Sequence, residues 1–144
     1  MPNTTTQNPS PSPRRILTVA EQKNYPTIED ACLECFGREP EWQESRPKCF
    51  FHLGGGFSAW FPQYGRAGNL NLLEDEKTKI KEIFNPKWKL DFSKRIVFMR
   101  DIDRNEKYVF IGVFKTKEKT TECGITFLTH ERIDDKIELP LSSR

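Results

Sequence analysis

Apolar positions are densest in two runs of the C-terminal half, Ile96 to Ile102 and Tyr108 to Phe114, joined by the polar link Asp103-Arg104-Asn105-Glu106. Both runs are rich in β-branched and aromatic residues, which suit a pleated, packed surface. In the second run Val109, Ile111 and Val113 share one face of an extended chain, while Tyr108, Phe110 and Phe114 share the other. A strand that is apolar on both faces is covered on both faces. The pattern therefore predicts a hairpin at the centre of a sheet, with Gly112 marking a bulge or a close backbone approach.

The flanking segments are shorter. Ile16, Leu17 and Val19 fit a first short strand or a docking segment. In PTIEDACLECFG, Thr27 stands as N-cap with Asp30 in the box position, and Gly37 closes the helix. Ile28, Ala31, Cys32, Cys35 and Phe36 form one apolar stripe between them. CFFHL (49–53) and FSAWF (57–61) read as strands, with a hairpin across Gly54-Gly55-Gly56. A second helix is predicted from Asn71 to about Phe84, capped by Asn71 with Glu74 in box position, Leu73, Ile80 and Phe84 inward, and Asn85-Pro86 as its stop. Lys115 to Glu122 reads as a charged connection, Gly124 to Thr129 as a strand, and Arg132 to Leu139 as a last strand or docked end. The sum is an α+β domain over residues 15–144, with five to seven strands in a curved or barrel-like antiparallel sheet and about two helices. Residues 1–14 are dominated by Thr, Asn, Ser and Pro, too polar to offset ordering entropy, and are expected to be a disordered tail.

Composition changes this picture in two respects. Phe occurs 11 times, so a few large rings should dominate the packing. Net charge is only +2, but it is unevenly spread. From Lys77 to Lys119 there are 13 Lys or Arg against 6 Asp or Glu, a balance of +7, while the remainder carries 10 against 15, a balance of −5. A basic half of this kind is a footprint for phosphates. The N-terminus has no apolar core region and no run approaches the ~20 apolar residues of a membrane span. A chain of the reducing cytoplasm is expected, with its thiols free or metal-bound and no membrane partner.

Candidate chemistry is sparse. Cys32-x2-Cys35 and Cys49-x2-His52 have the ligand types of a small zinc site, which makes a zinc protein one alternative. The two helix cysteines also occupy the apolar stripe, where buried thiols are the plainer reading and no cofactor is needed. The glycine run lacks the residues of a phosphate loop. His130 beside Glu131, and Asp101 with Asp103, are the only hints of acid–base chemistry, and they define no catalytic residue. The remaining constellation is aromatic and basic. Strand alternation puts Phe57, Ala59 and Phe61 on one face and Ser58 and Trp60 on the other, so Trp60 and Trp88 are expected as exposed rings, with Tyr64 nearby. Arg95, Arg100, Arg104 and Lys107 are the candidates for phosphate contact.

The segments Arg95-Ile96-Val97-Phe98, Tyr108-Val109-Phe110-Ile111-Gly112-Val113-Phe114 and Glu131-Arg132-Ile133-Asp134-Asp135 give the stretch from Trp88 to Glu138 a further meaning. In order and character it resembles small PUA-like domains, including the EVE type, of bacterial restriction and defence proteins. The resemblance implies a pseudo-barrel that binds RNA or a modified DNA base in an aromatic pocket. The expected function is a non-catalytic nucleic-acid-binding module, with DNA or RNA as partner. The alternative is a protein-interaction component of a defence or anti-defence system that works with a separate effector.

Overall fold

The computed structural model describes residues 15–42, 49–64, 71–74, 76–85, 87–104 and 107–141. The first half contains β1 (Arg15–Thr18), β2 (Asn24–Tyr25), α1 (Ile28–Phe36), β3 (Phe50–Gly54), β4 (Phe57–Trp60) and β5 (Gln63–Tyr64). The second half contains β6 (Asn71–Glu74), β7 (Lys79–Ile83), β8 (Lys94–Asp101), β9 (Tyr108–Glu122), β10 (Ile125–Asp134) and β11 (Lys136–Leu139). The main sheet runs β3-β4-β8-β9-β10-β7-β6, with β2 added to β9 and β5 to β8, while β1 and β11 pair separately. The predicted hairpin is β8–β9, and it does sit in the middle. The tail over residues 1–14 lies outside the described residues.

Side-chain contacts show that this open sheet curls. β4 and β10 are three strands apart in it, which on a flat sheet is about 14 Å. Yet the Trp60 and His130 rings on those two strands are 4.9 Å apart. Likewise Arg95 on β8 and Glu82 on β7 are separated by three steps, and their charged atoms lie 3.7 Å apart. Register shifts in β9 against β8, and twice in β10 against β9, supply the bends. The concave side encloses an inner core of Phe50, Trp60, Ile80, Val97, Met99, Ile111 and Phe114. The other side packs Phe51, Phe61, Ile96, Phe98, Phe110 and Val113 against α1, Tyr25, Leu17 and Leu139.

The α1 reading holds in detail. Thr27 Oγ1 accepts a hydrogen bond from Asp30 N at 3.0 Å, Gly37 turns left-handed at φ 67°, and Ala31, Cys32 and Cys35 face the core. The hairpin across the glycines also forms, with φ of 92°, 65° and 83° at Gly54, Gly55 and Gly56.

Three expectations need correction. The second helix does not exist: Asn71–Glu74 and Lys79–Ile83 are antiparallel strands joined through left-handed Glu76 and Lys77. Ile80 and Phe84 are four residues apart, a spacing that fits a helix face and a strand face equally. The residue between them that decides, Glu82, is polar and yet points inward. The sheet is also not wholly antiparallel, since β4 and β5 run parallel to β8. The chain reaches β8 only after the excursion through β6 and β7, the long crossover a parallel neighbour needs. Finally, eleven strands and one α-helix occur among the described residues, against five to seven and two.

Gly112 fulfils both halves of its expectation. Val97 pairs with Gly112 and Phe98 with Phe110, so Ile111 is the extra residue of a bulge. Its φ is 131°, and a Cβ there would lie 2.8 Å from Arg132 Nε and 3.0 Å from Asp134 O. That Nε is held by Ile111 O at 2.9 Å, so the arginine cannot simply swing away. Gly112→Ala is expected to cost about 1–3 kcal/mol through backbone strain and overlap, read as a lowered urea midpoint at unchanged slope.

Candidate nucleic-acid interface

Alternation along β8 decides where the candidate cations go. Arg95, Val97 and Met99 point to the concave side; Ile96, Phe98 and Arg100 point to the other. Arg95 and Arg100 are five residues apart, an odd number, and so fall on opposite faces. Arg95 is fully buried. Its guanidinium carbon sits 4.8 Å from the Phe50 ring centroid and 4.8 Å from that of Trp60, a cation between two aromatic faces. Trp60 is therefore no exposed ring: it is 2 % accessible. The face assigned to it by alternation is correct, but the curled sheet covers that face.

Beneath these rings runs a polar chain that sequence reasoning missed. Glu82 Oε1 accepts from His130 Nε2 at 2.9 Å and lies 3.7 Å from Arg95 Nη1. His130 Nδ1 is 3.0 Å from Thr116 Oγ1, which reaches Asp91 O at 3.4 Å. Asp91 in turn accepts from Ser93 N at 2.9 Å, from Ser93 Oγ and from His52 Nε2. Burial works to raise the Asp91 carboxyl, but the hydrogen bonds from Ser93 and His52 outweigh it and hold it below the usual carboxylate range. Five strands, β3, β7, β8, β9 and β10, are thus tied together by charge and hydrogen bonding.

The accessible candidates gather at the two ends of β8, which rises about 25 Å over its length. At its C-terminal end lie Tyr64, paired in register with Asp101, and the 3-10 turn Ile102–Arg104. Arg100 is there too, its guanidinium 6.0 Å from the Tyr108 ring, and Lys107 is exposed. The Arg104 side chain lies outside the described residues. At the N-terminal end Trp88 is half-buried, packed edge-on against Phe84 at 6.1 Å. The set chosen from sequence is thus split into a buried pair, one cluster at the C-terminal end of β8, and Trp88 by itself. What pattern alone could not supply was the interleaving of the inner face with charge.

The zinc spacing does not assemble. Cys32 and Cys35 are buried against the core, with burial pushing the Cys32 thiol up to about 12, and His52 is engaged by Asp91. Among the described residues no group of His, Cys, Asp or Glu is placed to hold a metal ion. Among them, too, no helix is long and apolar enough to cross a membrane. A cavity of about 250 Å³ opens on the outer side beside the end of α1, against Cys35, Arg38, Leu53 and Leu141. None of the candidate nucleic-acid residues borders it.

This combination, a curled β-sheet with one short α-helix among the described residues and a basic stretch from Lys77 to Lys119, meets a family description: the model of the SET and RING associated domain, SRA, matches residues 12–139. The chain belongs to the SRA family. No curated protein matches it. SRA domains are PUA-like modules that bind nucleic acid, so the PUA-like character implied by the resemblance and the nucleic-acid partner expected from the aromatic and basic pattern stand. The SRA match extends well beyond the Trp88–Glu138 stretch that carried the resemblance, taking in α1 and the glycine hairpin.

Proposed function

We propose that this SRA domain is a DNA-binding module that reads a modified base, methylated cytosine being the class its family binds. The observation that carries the reading is the SRA match over residues 12–139, with a basic, aromatic-rich sheet as its physical counterpart. Tyr64, Arg100, Arg104 and Lys107 at one end of β8, and Trp88 at the other, supply DNA contacts. Trp60 and Arg95 act from inside, fixing the curvature on which those contacts depend. The module does no chemistry of its own.

The test is fluorescence anisotropy on a labelled duplex with and without one methylated cytosine, across a range of salt. Tighter binding of the methylated duplex and a steep salt dependence are expected. Lys107→Gln should weaken both duplexes alike and reduce the salt slope by about one unit. Affinity indifferent to both methylation and salt would sink the reading.

A further inference from the structure

The link between β7 and β8 carries two of the large apolar side chains exposed among the described residues. Of its apolar residues Phe92 is 61 % accessible and Leu90 40 %, beside the half-buried Trp88. A single exposed apolar residue is unremarkable, but two in one short link, beside a half-buried Trp, require a reason. The reason lies in the anchor. Asp91 is turned inward, held through its carboxylate by Ser93 and His52 and through its carbonyl by Thr116. Extended chain on either side of an inward residue must present its neighbours outward, here Leu90 and Phe92. Asp91 is also the one acidic residue between Asn85 and Lys94, so drawing it inward leaves the exposed side with Lys87, Lys89 and Lys94, all accessible. Lys119 reaches the base of the link, its Nζ 6.0 Å from the Phe84 ring.

We infer that this link is a nucleic-acid contact element in which Phe92, backed by Leu90, lies against a base face while Lys87, Lys89 and Lys94 meet the flanking phosphates. The inference rests on the DNA-binding reading and adds residues that reading does not use. Charge decides the partner: an exposed apolar ring in a link with three accessible lysines in or beside it, its one carboxylate withdrawn, complements a base between phosphates. A base step in a duplex and a base in a single strand offer the same chemistry, so both are probes.

Anisotropy is measured with the full chain on a labelled duplex and a labelled single strand of the same sequence. Phe92→Ser should lower affinity on at least one probe by about tenfold to a hundredfold, the range for losing one stacked ring, with the salt slope unchanged. Lys87→Gln with Lys89→Gln should instead flatten the slope by about two units. Phe92 is exposed, so the serine variant should keep its urea midpoint, which separates lost contact from lost fold. If the wild-type chain binds neither probe, the DNA-binding reading falls and this inference with it. If the wild type binds and Phe92→Ser binds equally on both probes, the inference alone is overturned. It is equally overturned if Phe92→Ser acts by abolishing a dimer seen in sedimentation.

Discussion

Replacing Glu82 by alanine is expected to remove about 3–5 kcal/mol of stability, the cost of breaking a buried charge pair from one side. The carboxylate is nearly inaccessible, and it answers two groups that are wholly so, the Arg95 guanidinium and the His130 ring. Without it Arg95 keeps its two aromatic faces but loses the carboxylate 3.7 Å from its Nη1, in surroundings that water does not reach. The loss is large against the ~5–15 kcal/mol total of a domain. Urea unfolding followed by Trp fluorescence measures it. The same physics makes a second prediction of opposite sign: Glu82→Leu combined with Arg95→Met should recover most of the loss, because an apolar pair incurs no desolvation penalty. A loss below about 1 kcal/mol for Glu82→Ala would show that the pair does not hold β7 to β8.

That pair also explains how far the fold could be read from the sequence. The central hairpin, α1 with its caps, the glycine hairpin and the bulge at Gly112 were all legible, because in each the apolar pattern or a backbone requirement speaks directly. Lys79–Ile83 was not. Its inward positions are Ile80, Glu82 and Phe84, and the middle one carries a charge. Period two disappears once Glu82 is scored as outward, and the surviving spacing of four imitates a helix. Arg95 misled in the same way, as a cation read for phosphate that serves as an internal prop. Both errors have one origin: a buried ion pair is invisible until its two halves, thirteen residues apart in sequence, are seen across the curled sheet. The candidate site was legible as composition and not as geometry. Trp88 stood out, whereas Phe92 was hidden among the chain's many phenylalanines, its exposure showing only once the inward turn of Asp91 is seen.

Two of those phenylalanines, six residues apart, should separate stability from binding. Phe98 on β8 is the hub of the outer core. Its ring stacks on Phe61 at 5.1 Å and 11°, meets Tyr25 edge-on at 5.7 Å and Phe36 at 6.1 Å, and tilts against Phe110 at 5.8 Å. It thus joins β8 to α1, β2, β9 and the end of β4, and every one of these contacts is lost on truncation. Phe98→Ala is expected to cost about 3–5 kcal/mol, since neighbours on four separate segments cannot all collapse into the space left. Phe98→Leu, which refills much of the volume, should cost clearly less. Phe92→Ala, by contrast, should stay within about 0.5 kcal/mol of wild type, because most of that ring is already in water. The effects on DNA should run the other way: at temperatures where it remains folded, Phe98→Leu binds as the wild type does, and Phe92→Ala does not. Paired urea melts and anisotropy titrations on the variants provide the check. A Phe98→Ala loss no larger than that of Phe92→Ala would mean that α1 is not held to the sheet through this ring.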